Sequence, residues 1–139
     1  MARARAGRTR AATPQDARTR LRSATAYLEV AELVLDDKDR IEMPGVAAGL
    51  AVLAGIAGSD ALCAGRLGEI HRGDDHRSAT ALLEQATPDG KKLAATFLRL
   101  IDIKDEAHYG LILVSPRRAR DAVRWAAQLV TRATEELER

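Results

Sequence analysis

Apolar residues return every three or four positions along most of this chain, and the breaks in that rhythm mark helix ends. Leu21, Ala24, Leu28, Ala31 and Leu35 form one such series, widened by Tyr27 and Val34, which predicts an amphipathic first helix. Its start is written in Thr13, Pro14 and Asp16: an N-cap hydroxyl, a proline at the first helical position and a capping-box acid. A charged turn, Asp36 to Arg40, ends it. A short third helix carries Ala79, Leu82, Leu83 and Ala86 behind an Asp75 N-cap, and Thr87 to Gly90 form a turn. A fourth helix runs from about Lys91 to Tyr109, with Leu93, Phe97, Leu100 and Ile101 on one side and Gly110 as its C-cap. Leu111 to Val114 reads as a buried connector. Ser115 and Pro116 then open a last helix whose Ala119, Val123, Ala126, Val130, Ala133 and Leu137 face inward.

Between the first and third helices lies Pro44 to Leu67, which is apolar on every side. Such a helix must be surrounded by protein or by lipid. Its uncharged run, Val46 to Ser59, falls short of the ~20 residues that a bilayer span takes. The expectation is therefore a central core helix and no membrane. Gly49, Gly55 and Gly58 each cost roughly 1 kcal/mol of helix propensity against alanine, which points to close backbone approach. The whole is an all-α bundle of four to five helices, one domain over residues 13–139, with no strand expected.

With 139 residues and 46% hydrophobic content the chain can bury a real core, but aromatics are only 3%. That core must be built from Ala, Leu, Val and Ile, which favours closely packed helices. Cys63 is the only cysteine, so no internal disulfide forms; this suits a reducing cytoplasm and a small buried thiol. No apolar signal region follows the start, which argues against secretion. Net charge is +2, too small to announce a nucleic-acid partner by itself. Residues 1–12 are Arg-rich and acid-free: a flexible solvated arm, a basic arm touching nucleic acid, or a targeting peptide.

Two groups of residues could carry chemistry. Lys104 and His108 replace the expected aliphatics in the last turn of the fourth helix, one turn apart on one face. With Asp60 as partner and Tyr109 beside them, His108 could move protons while Lys104 holds a phosphate or a developing negative charge. The same residues could instead be a buried ionic network that fixes helix register. The second group, Arg117, Arg118, Arg120 and Arg124, crowds the start of the last helix, where free backbone N–H groups favour anions. It reads either as a phosphate or nucleic-acid site or as a solvated basic face. His71, Asp74, Asp75 and His76 lack helical ligand spacing, so no metal and no cofactor is expected.

At Lys104-Asp-Glu-Ala-His108-Tyr109-Gly110, with Ala57-Gly-Ser-Asp60-Ala-Leu before it, the chain resembles the HEPN superfamily over about residues 15 to 133. These are small helical bundles of RNA-targeting toxins and defence systems. The resemblance implies RNA or a nucleotide as ligand, a homodimer, an antitoxin or nucleotidyltransferase partner, and metal-independent endoribonuclease activity with His108, Lys104, Tyr109 and Asp60 at the site. Active members carry Arg, four to six residues, then His. Here Lys104 is followed by three residues and His108, and lysine lacks the bidentate fork of arginine. Binding is therefore implied ahead of cleavage. Arg66 to His71 has the family's spacing but falls at the end of the central helix. The alternative is a non-catalytic interaction or dimerisation module, in which those residues lock the bundle and a basic face meets a partner.

Overall fold

The computed structural model describes residues 8–73, 75–109 and 111–138. The chain is an all-α bundle: α1 (Pro14–Leu35), α2 (Met43–Leu67), α3 (Ala79–Ala86), α4 (Gly90–Tyr109) and α5 (Pro116–Leu137). The local start signals act as expected. Thr13 accepts from the Asp16 N–H and Asp16 accepts from the Thr13 N–H, closing a full capping box. Ser115 accepts from the Arg118 N–H at the head of α5. Asp75 accepts from the Arg77 N–H and starts a single 3-10 turn, His76–Ser78, that leads into α3.

Around α2 are packed α1, α3, α4 and α5. Near its end, Gly65 lies against Ala17 of α1 and Leu137 of α5, so α1 runs antiparallel to α2. Gly55 and Gly58 meet Leu129 and Val130 in register, so α5 runs parallel to it. Leu100 of α4 sits over Gly55, while Ala107 reaches the Gly45–Leu53 end, which makes α4 antiparallel.

Alanine builds the seams. On α1 the fully buried residues are Ala17, Ala24 and Ala31, seven apart, while Leu21 and Leu28 pack half-buried at the edge. Ala119, Ala122, Ala126 and Ala133 do the same on α5. A short side chain at each crossing brings helix axes close, which is how a core with so few aromatics reaches interior density. Leu62, Leu82, Leu83, Phe97, Leu100 and Leu129 fill the space between seams.

Three expectations change. First, two short strands exist: β1 (Thr9–Ala11) pairs antiparallel with β2 (Glu69–His71). Three-residue strands carry too little alternation to be read from sequence. The described end of the basic arm is thus held, by that ladder, by Thr9 Oγ1 donating to Glu69 Oε1 at 2.7 Å, and by the Ala12 N–H donating to Gly68 O at 2.9 Å. Second, the connector is not buried. Val114 is, but Leu111 is 102% exposed, Ile112 86% and Leu113 55%. The connector crosses outside the helix ends, where its backbone groups reach water and no layer lies above it. Third, α2 as a whole is long and apolar enough to cross a membrane, unlike its shorter uncharged run, although 67% of its apolar 18-residue stretch is buried within the bundle.

Candidate functional site

The first candidate is centred on Asp60, near the C-terminal end of α2. Its partner is Arg20 of α1, not Lys104: Nε and Nη2 of Arg20 both donate to Asp60 Oδ2, at 3.2 and 3.0 Å. Antiparallel packing explains the pairing, since α1 passes its first turns beside the last turns of α2. Burial pushes the Asp60 carboxyl above its ordinary value, and the Arg20 charge pulls it partly back, with weaker help from His71 and Arg10. One turn on, burial and the Asp60 charge push the Cys63 thiol up to about 12, against a hydrogen bond from Ser59. This cysteine is no nucleophile at neutral pH.

His71, at the end of β2, extends the cluster. Its Nε2 lies 3.4 Å from Ser78 Oγ. Ser78 Oγ also donates to the Asp75 carbonyl at 2.8 Å. His71 Nδ1 is buried with no hydrogen-bond partner among the described residues. The sequence offered no direct signal for Arg20, His71 and Ser78 together, because they come from three elements. No group of three or more metal-ligating side chains occurs among the described residues, and Asp74 lies outside them.

The second candidate is the end of the bundle formed by the last turn of α4, the connector and the head of α5. Lys104 is half-buried, with no ion pair among the described residues. Leu100 faces Gly55, so Lys104 one turn later stands level with about Ala51, roughly 13 Å along α2 from Asp60. The two do not form one site. His108 and Tyr109 occupy the last turn of α4, and their side chains, like Gly110, lie outside the described residues.

Of the four arginines, two are already paired. Arg118 grips both oxygens of Glu106, at 2.8 and 3.2 Å, which holds the Glu106 carboxyl below its usual range. Arg124 pairs with Asp121 at 3.1 Å and lies 5.9 Å over the Trp125 ring. Arg117 and Arg120 are exposed. At the other end of α5, Glu136 takes Arg132 at 2.7 Å and Arg66 at 3.2 Å. The i, i+4 spacing of Arg132 and Glu136 was a legible sign of that pair.

Beside the connector lie two open grooves of about 370 Å3 each. One is floored by Val46, Gly49, Leu50 and Leu53 of α2 and edged by Glu42 and Glu106. The other holds Ile41 and Pro44 and is edged by Lys38, Arg40 and Arg120. Leu113 and Val114 divide them. This arrangement can seat apolar groups between an acidic and a basic edge. No family model matches the sequence, and no curated protein matches it.

Proposed function

We propose that the protein is a helical interaction module, and that it binds another macromolecular surface through the connector end of the bundle. One observation carries this reading: Leu111, Ile112 and Leu113 stand in water beside an apolar groove. Contiguous exposed aliphatics on a small domain mark a contact surface more often than decoration. The test substitutes serine for all three. A contact surface leaves the far-UV circular dichroism helical and the thermal transition cooperative. Were these side chains part of the core, truncating each would cost about 2–5 kcal/mol, and the variant would not fold.

A second reading keeps a HEPN-like RNA or nucleotide site at Lys104, His108 and Tyr109, with His108 as base or acid on a ribose hydroxyl. It is favoured by Lys104, half-buried near the end of α4 and without an ion pair among the described residues. Asp60, bound to Arg20, has no part in that site. Incubation with total RNA in EDTA separates the two readings. Cleavage by the wild type that is lost in His108→Ala establishes the ribonuclease; equal behaviour of both proteins removes it.

A further inference from the structure

The surface that supports an interaction module carries both halves of a complement. Leu111 to Leu113 make an apolar ridge, and the Val46–Leu53 face of α2 makes an apolar groove beside it. Charge is divided across the ridge in the same way. On the groove side Glu106 is neutralised by Arg118, which leaves Glu42 without a partner among the described residues. On the other side Arg40 is neutralised by Asp37, which leaves Lys38 and Arg120 without an ion pair among the described residues. A ridge next to a groove, with opposite charges on their two flanks, is the pattern that a two-fold axis makes self-complementary.

Resting on the interaction-module reading, we propose that the partner is a second copy of this chain. The Leu111–Leu113 ridge of each copy lies in the Val46–Leu53 groove of the other, and Glu42 of each faces the partner's Arg120 and the partner's Lys38. The apolar content is of the right size. Together with Ile41 (70% exposed), Val46 (44%) and Leu53 (38%), the three ridge residues expose the equivalent of about four whole aliphatic side chains. That is roughly 240–480 Å2 of apolar surface at the usual transfer coefficient. A standard interface takes about 800 Å2 from each partner, a little over half of it apolar. Gly49 at the groove floor lets another backbone come near.

Sedimentation equilibrium of the full chain across micromolar to several hundred micromolar concentrations tests this. The wild type is expected to be dimeric, and Leu111→Ser/Ile112→Ser monomeric with unchanged helicity. Glu42→Arg alone and Arg120→Glu alone each weaken the dimer about 2- to 30-fold, because symmetry breaks the pair twice. The double variant recovers most of the affinity. A wild type that stays monomeric at every concentration overturns the second copy, while the serine test above still decides whether the surface is free. A dimer indifferent to the serine pair, or charge reversals whose effects simply add, overturns this surface as the interface. Flotation of a monomeric wild type with phosphatidylserine vesicles would assign the face to lipid and overturn the proposal equally.

Discussion

At the scale of single residues, Asp60 shows how burial and pairing compete. Burial is the larger effect and raises its carboxyl; Arg20 answers only in part. Folding therefore prefers the protonated acid. This group's favourable contribution is whole below its ordinary value near 3.8 and is lost as pH rises through the raised value. Above that, the folded chain holds a half-compensated carboxylate. Arg20→Met removes the compensation, and the expected loss at pH 7 is about 1–3 kcal/mol. The loss shrinks toward pH 4, as Asp60 takes up a proton and has less need of a cation. Urea unfolding of wild type and variant at both pH values reads the difference directly; equal losses at the two would mean the pair is only packing. Asp89 and Glu106 move the opposite way, held low by Arg132 and Arg118, so the comparison must be between variants and not between pH values of one protein. Cys63, buried and pushed up to about 12, gives a second expectation. Its labelling by a thiol reagent in native buffer should follow the rate of global unfolding, not the rate of a free thiol.

At the scale of elements, the glycines of α2 separate propensity from packing. A Cβ at Gly58 would rest 3.5 Å from Val130 Cγ2, an ordinary contact. Gly58→Ala should then gain helix propensity, raising stability by up to about 1 kcal/mol. At Gly55 the same atom would collide with Leu100 Cδ2, which is fully buried. Gly55→Ala must displace that leucine and should cost about 1–3 kcal/mol. Thermal melts of the two variants should move in opposite directions. The contrast also marks what the sequence could reveal. Features decided within a few residues were legible: the Thr13 capping box, the Ser115–Pro116 start, the all-round apolar α2. Features decided across the chain were not. Arg20 reaches Asp60 over 40 residues, and β1 meets β2 over about 60, with nothing local to announce either. The connector was misread because an apolar run looks alike whether a layer covers it or not. Lys104, expected in line with the core positions of α4, is half-buried, and its distance from Asp60 depended on helix direction, which periodicity does not carry.

At the scale of the whole molecule, α2 touches every other helix, and no other element does so with comparable intimacy. Its buried face of alanines and glycines has no independent way to stay helical in water, and its neighbours have no core without it. The bundle should therefore unfold as one unit, with no stable subset of helices. Trp125, the only tryptophan, lies on α5 and reports the packing of that helix. Its fluorescence and the far-UV circular dichroism should give coincident urea transitions. Leu62→Ala, in the fully buried middle of the bundle, should shift both together by about 2–5 kcal/mol. Leu33→Ala, 71% exposed on α1, should shift either by less than about 0.5 kcal/mol. If Leu62→Ala moved the dichroism but left the Trp125 transition in place, α5 would be folding apart from α2, and the bundle would have two cores where its packing implies one.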